Sequence, residues 1–487
     1  MPLALLISAF AFWIFQRGYI LYWGDAQAHL TNSRGIFDAR VPGFDQLGTV
    51  WLPSLHLLAL PFVQNDWLWQ TGLAGTIPVA ACFVVAGTCF YLAARQLCQS
   101  TLSAVVVLLC FALNPNVLYL SSIPMTESVF LAGLAMAFLA VLRFRATQQV
   151  RYLFLAVGAS WFMSLTRYDG WFLIPFVSFF LARSARRHRL QIFIAVGAAT
   201  SLVPLGWMAF CWWQTSNAFD FINGPYSAAA IQGGKPYPGL HNWRQAIQYY
   251  FTAGRLCAGW PLFLLGIFGA VAALLHKRLR PVFFLLLTPA FYVWSMHSSA
   301  NPIHVPTLWP FSYYNTRYGI ALVVFCAFAA GALADVLVIR RQRFALAIPV
   351  LALVPWFIQP SPERWICWKE SEQNSISRRA WTSAAVQFLQ ANYKEGDGVL
   401  AHMGDIAGIF CKAAIPLHEM THDGTNPDWL IETKALSAVH PMRWAIALDG
   451  DPISRLLKQT QPAIYRLVLE VKTKDSPKLE VYRRIHD

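Results

Sequence analysis

Apolar stretches close to the length of a membrane-spanning helix recur along the first three quarters of this chain. Crossing roughly 30 Å of hydrocarbon takes about 20 consecutive apolar residues in a helix. Charged residues make up only 13% of the sequence, whereas a soluble domain carries about 25%. The pattern predicts a polytopic α-helical membrane protein with about 11 transmembrane helices, at residues 2–22, 67–92, 101–119, 126–143, 152–166, 170–182, 190–213, 257–275, 281–297, 318–339 and 344–359.

The positive charges between these spans predict the orientation of the chain. Short connections that are rich in Lys and Arg stay in the cytoplasm. Five linkers hold 14 Lys or Arg and no acid, at residues 93–100, 143–151, 183–189, 276–280 and 340–343. We therefore expect a multi-pass plasma-membrane protein with a cytoplasmic N-terminus, and with the alternate connections and the C-terminal domain outside.

The net charge of +14 has the same origin. Residues 1–359 hold 22 Lys or Arg and eight Asp or Glu, whereas residues 360–487 hold 16 of each. Anchoring charges beside anionic lipid head groups account for the excess. We therefore expect membrane lipids, and no nucleic acid, among the partners.

A domain boundary is predicted near residue 360, where hydropathy falls and charge density rises. It separates a multi-spanning domain at 1–359 from an extracytoplasmic α/β domain at 360–487. The second domain shows a helical stretch around 377–393 and strand-like runs VLAHM, RWAIAL, AIYRLVLEV and KLEVYRR. Cys367 and Cys411 lie in it, and a disulfide between them is one option in an oxidising compartment.

We expect the apolar N-terminus to be kept as the first span. No basic region precedes it and no clear cleavage site follows it, as a secretory signal peptide would require.

Seven of the eight acids in residues 1–359 fall on the predicted outer face. A charge in hydrocarbon is costly, so acids gathered near one membrane surface indicate a functional site. Asp335 is the exception. The seven are Asp25, Asp38, Asp45, Asp66, Glu127, Asp169 and Asp220.

Asp25 is the candidate catalytic base. It follows the Trp and Tyr residues that end the first span, and His29 shares its face if AQAHL is helical. A carboxylate near an imidazole at the water–lipid boundary suits removal of a proton from a substrate hydroxyl. The alternative is that Asp25 caps a short helix in AQAHL.

Two tight outer connections hold further candidate binding residues. Glu127 begins a span, where the helix dipole also favours an anion. Tyr168 and Asp169 share the turn SLTRYDG with Arg167, and an Arg–Asp pair satisfied within the turn is the structural alternative. A carboxylate that faces into the bundle could bind a sugar hydroxyl or a metal, and we assign substrate binding to Glu127, Tyr168, Asp169 and His29.

Isolated cations on the same face suit a lipid phosphate, which Arg can bind through a forked pair of hydrogen bonds. The candidates are Arg167, Arg255, Arg317 and Lys235. The cytoplasmic linkers are too short to form a nucleotide-binding domain and hold no glycine-rich phosphate loop. A nucleotide-sugar donor is therefore not expected.

The order and sidedness of these motifs resemble the GT-C superfamily of multi-spanning glycosyltransferases. The run NPNVLYLSSIPMTESVF is followed by SLTRYDGWFLIP, with WGDAQAHL before and NTRYG after. Within the superfamily, residues 15–330 resemble the bacterial and archaeal relatives of dolichyl-phosphate-mannose–protein mannosyltransferases. The tail segment GDGVLAHMGDIAGIFCKAAIPLHEM is similar to the outer α/β module often appended to such enzymes.

This resemblance implies inverting transfer of a hexose, with mannose as the family-level guess, from a polyprenyl-phosphate-sugar donor. The acceptor would be a hydroxyl of a glycan, lipid or protein on the outer face. The first-loop acid of such families is the catalytic base and matches Asp25. Many relatives carry two adjacent acids there, whereas this chain has Ala26, which counts against a metal-assisted variant. We predict no cofactor and leave a divalent metal open.

The pentapeptide HEMTH matches the HExxH pattern of zinc proteases, which requires a helix to bring both histidines to the metal. Pro416 before it and Asp423-Gly424 after it predict a strand end that runs into a turn. We therefore assign no metal site to His418 and His422.

The alternative functions are a transporter or lipid flippase, and a non-catalytic scaffold of the same architecture. A transporter would place ionisable groups midway along its spans or repeat a pair of broken helices. The acids of this chain gather at one surface instead.

Overall fold

The computed structural model describes residues 1–338, 345–423, 442–460 and 464–485. Helices dominate these ranges, and one sheet lies near the C-terminus. The helices are α1 Pro2–Gln16, α2 Gly24–Asp38, α3 Ser54–Val63, α4 Asp66–Thr71, α5 Leu73–Leu97, α6 Thr101–Ala112, α7 Pro115–Leu120, α8 Thr126–Thr147, α9 Arg151–Ser164, α10 Tyr168–Ser184, α11 Arg189–Thr215, α12 Asp220–Asn223, α13 Ala228–Gln232, α14 Trp243–Ala258, α15 Trp260–Leu275, α16 Leu287–Ser298, α17 Ile320–Val338, α18 Ala347–Ile358, α19 Ile366–Asn392, α20 Ala407–Ala413 and α21 Pro452–Thr460.

The strands are β1 Val399–Ala401, β2 Met420–His422, β3 Trp444–Leu448, β4 Tyr465–Val471 and β5 Leu479–Arg484. Short 3-10 helices lie at Phe44–Leu47, Arg280–Leu286, Thr316–Gly319, Pro362–Arg364, Gly404–Ile406 and Leu417–Glu419.

The helices confirm a polytopic membrane protein. Within the described residues, helical structure lies in each of the predicted spans. Among the residues that the structure describes, four helices are long and apolar enough to cross a membrane by length and composition, and the pair α14 and α15, bent by 112°, is a further candidate. The helices α1, α3, α6 and α18 are apolar but shorter. The number of spans, about 11 by hydropathy, stays a prediction.

The chain divides into two compact units. The helical unit comprises Met1–Arg17, Thr49–Leu55 and Ile77–Glu370, and the mixed unit comprises Gly18–Gly48, His56–Thr76 and Ser371–Asp487. Two segments of the first predicted outer loop thus belong to the same unit as the C-terminal part of the chain. The domain boundary near residue 360 stays a prediction.

The helical unit is packed through small residues where α15 meets α17. A Cβ atom on Gly269 of α15 would lie 1.9 Å from the Ala329 carbonyl oxygen of α17. One turn earlier, a Cβ atom on Gly266 would lie 2.7 Å from Cys326 Sγ. Small residues let helix backbones approach closely where no hydrophobic effect drives them together. The two glycines therefore set the distance between these helices.

Asp335 of α17 brings two of the predicted cytoplasmic linkers together. Its Oδ1 accepts hydrogen bonds from the backbone N–H of Gln99, at 2.8 Å, and of Ser100, at 3.1 Å. Its Oδ2 forms an ion pair with Arg278. Linkers 93–100 and 276–280 therefore meet at one place, as two connections on one side of a membrane should, while the side itself stays a prediction.

The long connection predicted at 214–256 is partly helical, with α12, α13 and the greater part of α14 inside it. The residues that α14 buries recur at helical spacing, which a sequence rich in polar side chains conceals. They are Ala246, Tyr249, Tyr250, Ala253, Gly254, Cys257 and Ala258.

The mixed unit contains a five-stranded sheet in the order β2-β1-β3-β5-β4. Strand β1 is parallel to β2 and β3, whereas β5 is antiparallel to β3 and β4. The central strands β1 and β3 are almost wholly buried, as expected for parallel strands covered on both faces. The predicted strands VLAHM, RWAIAL, AIYRLVLEV and KLEVYRR and the predicted helix are confirmed, although α19 begins earlier, at Ile366.

We predict that Gly269→Val destabilises the helical unit. The added side chain would meet the Ala329 backbone, which cannot move aside as a flexible side chain does. Overpacking of this kind costs about 1–3 kcal/mol. The measurement is the thermal unfolding midpoint of the detergent-solubilised protein. Gly158→Val on α9 is the control, because no neighbouring atom lies within 4 Å of a Cβ placed there, and equal midpoints for both variants would contradict the packing argument.

Candidate active site

Asp25 lies in the first turn of α2. The N-cap position belongs to Trp23, which makes no side-chain capping hydrogen bond, so Asp25 does not fill the role of a cap. The unpaired N–H groups of a first helical turn favour a carboxylate beside them. The helical prediction for AQAHL is confirmed.

Arg378 of α19 closes on this turn of α2. A Cβ atom on Gly24 would lie 3.0 Å from Arg378 Nη1, so the guanidinium occupies space that only glycine leaves open. Arg378 Nη2 donates to the Tyr22 carbonyl oxygen, and Nη1 lies 3.6 Å from Asp405 Oδ1. Burial lowers the pKa of Arg378, whereas the charges of Asp405 and Asp25 raise it. Arg378 therefore places a positive charge close to both carboxylates.

Gly24, Arg378 and Asp405 line a pocket of the mixed unit. The empty space measures about 410 Å³, part of it open to solvent. Three cations and one carboxylate are among its lining residues, which include Gly24, Gln27, Arg378, Arg379, Asp405 and Lys412. We call this space the Asp25 pocket because Gly24, the residue before Asp25, lines it, although Asp25 is not among the lining residues.

His29 is paired with a second histidine. Its Nδ1 lies 2.9 Å from His56 Nε2 on α3, and both rings are buried. Ser33 Oγ donates to the carbonyl oxygens of His29 and His56, both at 3.0 Å. These bonds hold α2 against α3, and the assignment of His29 to substrate binding stays a prediction.

In the helical unit, four of the predicted site residues meet in one cluster, which we call the carboxylate–arginine cluster: Glu127, Arg167, Asp169 and Arg317. Glu127 Oε1 lies 3.1 Å from Arg167 Nη1 and 3.2 Å from Arg317 Nε. Arg167 Nε lies 3.3 Å from Asp169 Oδ1. Glu127 is 5% exposed and Asp169 is 1% exposed, so both charges depend on these partners.

Tyrosines complete the surroundings of this cluster. Tyr292 donates to Asp169 Oδ2 at 2.8 Å. Its ring stacks on Tyr318 at 4.6 Å between centroids, and the Arg167 guanidinium lies 5.2 Å from the Tyr318 ring centroid. The Arg–Asp pair within the turn is therefore present. It belongs to a wider network that joins α8, α10, α16 and the 3-10 helix before α17.

Glu370, near the start of α19, accepts hydrogen bonds from a second part of this region. Its carboxylate oxygens accept from the backbone N–H of Asn315, at 2.6 Å, and of Thr316, at 2.8 Å, and from the Thr316 hydroxyl. Burial raises the pKa of Glu370 to about 7, against the charge of Arg317 and these hydrogen bonds.

Tyr168 faces away from the charges. Its hydroxyl donates to the Val50 carbonyl oxygen at 2.7 Å, and its ring stacks on Phe221 at 5.2 Å. Its predicted role in sugar or acceptor binding stays a prediction.

Arg255 and Lys235 differ from the clustered arginines. The Arg255 guanidinium lies 4.3 Å from the Trp260 ring centroid. Lys235 is exposed, and only its backbone is hydrogen-bonded. Neither side chain forms an ion pair with a carboxylate in the described ranges. Among the four predicted phosphate-binding cations, these two carry charge that no described carboxylate neutralises.

The cysteines form no disulfide between Cys367 and Cys411, since both are free thiols. Cys367 Sγ lies 3.8 Å from Cys257 Sγ, and Cys411 Sγ lies 3.8 Å from the Trp69 carbonyl oxygen.

The HEMTH segment is not helical. Leu417–Glu419 form a 3-10 helix, and His422 ends strand β2. His418 instead pairs with Asp38, with Nδ1 2.7 Å from Oδ1. The prediction of a strand at this segment is confirmed, and the helical arrangement of a zinc protease is not present.

The sequence interpretation missed Arg378, Arg379, Lys412 and Glu370. All four lie in the C-terminal part of the chain, which holds 16 basic and 16 acidic residues. Among so many charges, no single charged residue is marked by the sequence as functional. Only the adjacent pair Arg378-Arg379 stands out locally. The closeness of Arg378 to Gly24, and of Glu370 to Thr316, is a tertiary contact that no local pattern encodes.

The chain has the fold of a solved membrane protein. It aligns with ArnT from Cupriavidus metallidurans bound to undecaprenyl phosphate at a TM-score of 0.60 and 12% identity, over 98% of this chain and 97% of that chain. The apo state of ArnT aligns at 0.60 and 11%, with the same coverage. No protein-family model and no curated protein matches the sequence. These alignments show a shared fold, and the resemblance to the GT-C superfamily stays a prediction.

We predict that Glu370 makes the stability of the protein depend on pH between about 5 and 7. Because the folded state raises the pKa of Glu370 from 4.5 to about 7, its contribution to stability is present below the unfolded pKa and is lost as pH rises through about 7. The thermal unfolding midpoint of the wild type should therefore fall more between pH 5 and pH 7 than that of Glu370→Gln. Glu363→Gln, at an exposed carboxylate, should behave as wild type, and parallel curves for Glu370→Gln and wild type would contradict the assignment.

Proposed function

We propose that this protein is an inverting glycosyltransferase that moves a hexose from a polyprenyl-phosphate-sugar donor to an acceptor hydroxyl on the extracytoplasmic face of the membrane. The observation that carries the proposal is the position of Asp25, in the first turn of α2, where its charge acts on Arg378, and next in sequence to Gly24, which lines an open polar pocket. The fold adds support, because ArnT, which shares it, was solved bound to undecaprenyl phosphate.

Asp25 acts as the general base in this proposal. Its carboxylate removes the proton of the acceptor hydroxyl while the hydroxyl oxygen attacks the anomeric carbon from the face opposite the phosphate. The bond between the anomeric carbon and the phosphate oxygen breaks, and its electron pair leaves with the polyprenyl phosphate. One displacement inverts the configuration at the anomeric carbon, and the proton ends on Asp25.

The leaving phosphate gains negative charge, which an unpaired cation can stabilise. Arg255 and Lys235 are the cations of the predicted set that no described carboxylate pairs. Arg167 and Arg317 are held by Glu127 and Asp169, so they would have to share those partners with the phosphate. We therefore assign phosphate stabilisation to Arg255 first, with Lys235 at the exposed approach.

One carboxylate oxygen of Glu127 can accept a hydrogen bond from a hydroxyl of the sugar or of the acceptor substrate. Its Oε1 serves both arginines, whereas Oε2 accepts no hydrogen bond from the described residues. Asp169 uses both oxygens, through Arg167 and Tyr292, so its contribution is to orient Arg167. Mannose as the hexose and an N-terminus in the cytoplasm belong to the same proposal.

We expect Asp25→Asn to abolish transfer and to leave donor binding intact. An amide keeps the shape of the side chain but cannot accept the proton, and general bases contribute about 10²–10⁴-fold to rate. The measurement is transfer of radiolabelled sugar from a panel of short-chain polyprenyl-phosphate sugars to native membrane extracts. Asp45→Asn, at an exposed acid of the same predicted loop, is the matched control. Transfer by Asp25→Asn at the wild-type rate would refute the assignment and favour a transporter or scaffold.

We expect Arg255→Gln to raise the KM for the donor by about 10–100-fold, the equivalent of one charged hydrogen bond of about 1.5–3 kcal/mol. Arg244→Gln, at an exposed arginine of the same helix, should leave the KM unchanged. An unchanged KM for Arg255→Gln, with wild-type protein levels, would show that the phosphate binds elsewhere.

A further inference from the structure

We propose that the Asp25 pocket binds an oxyanion, a phosphate or a carboxylate, carried by the acceptor. The inference rests on the proposed function and adds the chemical class of the substrate. An acceptor held there by its charged group would present a neighbouring hydroxyl to Asp25, because Gly24, the residue before Asp25, lines the same pocket.

Lys412 supplies the first argument. It lies on α20 and lines the pocket, and its Nζ has no hydrogen bond or ion pair within the described ranges. Burial lowers the pKa of Lys412; the Cys411 thiol opposes this, and the charges of Arg379 and Arg378 lower the pKa further. Three cations thus repel one another across one space, and a bound anion would relieve that repulsion.

Gln27 supplies an independent argument. It is 6% exposed and lines the pocket, and its Nε2 donates no hydrogen bond among the described residues. It also contacts the thiol of Cys411, which is only a weak acceptor. A buried amide donor without a good acceptor costs free energy, because its desolvation is not repaid by a hydrogen bond. An oxygen of a bound anion would satisfy it.

Arg379 is held in place for such a ligand. Its Nη1 donates to the Tyr22 hydroxyl at 3.1 Å and its Nε to Ser375 Oγ at 3.1 Å, while the guanidinium lies 4.2 Å from the Tyr22 ring centroid. The Glu372 carboxylate lies 4.0 Å from Arg379 Nη2, which is the limit of an ion pair. The guanidinium is therefore oriented by neutral groups at hydrogen-bonding distance, with the Glu372 carboxylate farther away.

The small size of other lining residues leaves room for that ligand. Gly404 and Gly408 line the pocket. A Cβ atom placed on Gly404 would have no described atom within 4 Å, and one placed on Gly408 would meet Gln27 at 3.9 Å. Asp405, the one carboxylate of the lining, is 62% exposed and lies beside Arg378. It does not neutralise Lys412.

The lining favours the acceptor over the donor lipid as the source of the anion. A polyprenyl chain needs a continuous apolar surface beside its phosphate, and Leu21 and Ala407 are the apolar side chains of this lining. Arg255, in contrast, lies beside Trp260 at the start of the apolar helix α15. A lipid phosphate fits that position, and a polar acceptor fits the Asp25 pocket.

The test measures binding to the full-length protein in detergent by calorimetry, without transfer. Four probes are compared: glucose, glucose 6-phosphate, glucuronate and farnesyl phosphate. The two anionic sugars should bind at least about 10-fold more tightly than glucose, and Arg379→Gln and Lys412→Gln should each weaken them by about 10-fold. Arg466→Gln, at an exposed arginine of β4 outside the pocket, is the control for charge, and thermal unfolding midpoints confirm that the variants fold.

The outcomes separate the possible sources of the anion. An anionic acceptor is supported if Lys412→Gln weakens binding of glucose 6-phosphate and glucuronate but leaves binding of glucose and farnesyl phosphate unchanged. Equal loss of farnesyl phosphate would make the pocket the donor-phosphate site and overturn the proposal, as would anionic sugars that bind no better than glucose. The binding experiment is independent of the transfer assay of Asp25→Asn. If the anionic sugars bind but Asp25→Asn still transfers sugar, the result would count against the proposed catalytic role and not against the anion site. Absent binding with an inactive Asp25→Asn variant would count against the anionic acceptor alone.

Discussion

The buried guanidinium of Arg167 constrains how the helical unit is assembled. It lies at the start of α10 and contacts Glu127 at the start of α8 and Asp169 in its own turn. Arg317, before α17, reaches the same Glu127 oxygen. Removing Arg167 would leave the buried Asp169 carboxylate without a cation among the described residues, at a cost of about 3–5 kcal/mol. Three helices must therefore begin at one point, and the predicted outer connections before them meet there.

This pairing separates charges that hold the structure from charges that remain available to a ligand. Arg167 and Arg317 were equal in the sequence to Arg255 and Lys235, as isolated cations on one predicted face. In the structure the first two share carboxylates, whereas the others have none among the described residues. The mixed unit shows the same contrast, since Arg378 faces Asp405 and Asp25 while Lys412 faces two arginines.

The scarcity of acids explains which residues could be found from the sequence. Asp25, Glu127 and Asp169 stand out because residues 1–359 hold eight acids among long apolar stretches. The strands of the mixed unit were predictable for a related reason, since buried apolar runs such as WAIAL are short and bounded by turns. Nothing in the sequence marks Lys412 and Glu370, because only the fold brings Lys412 close to Arg378 and Arg379, and Glu370 close to Thr316. The α14 helix was hidden in a polar connection, since its buried face is visible only at helical spacing.

That this chain shares the ArnT fold at 12% identity follows from what a membrane requires of a sequence. Hydrocarbon selects apolar helices and paired charges, and many sequences meet both requirements. The fold therefore carries little information about the acceptor, and chemistry has to be argued from individual side chains. The Asp25 pocket holds one arginine that faces carboxylates, together with a lysine and an amide that lack such partners among the described residues. A neutral ligand could satisfy that amide but would bring no counter-charge for that lysine, so the proposed acceptor is better matched to the pocket if it brings its own negative charge.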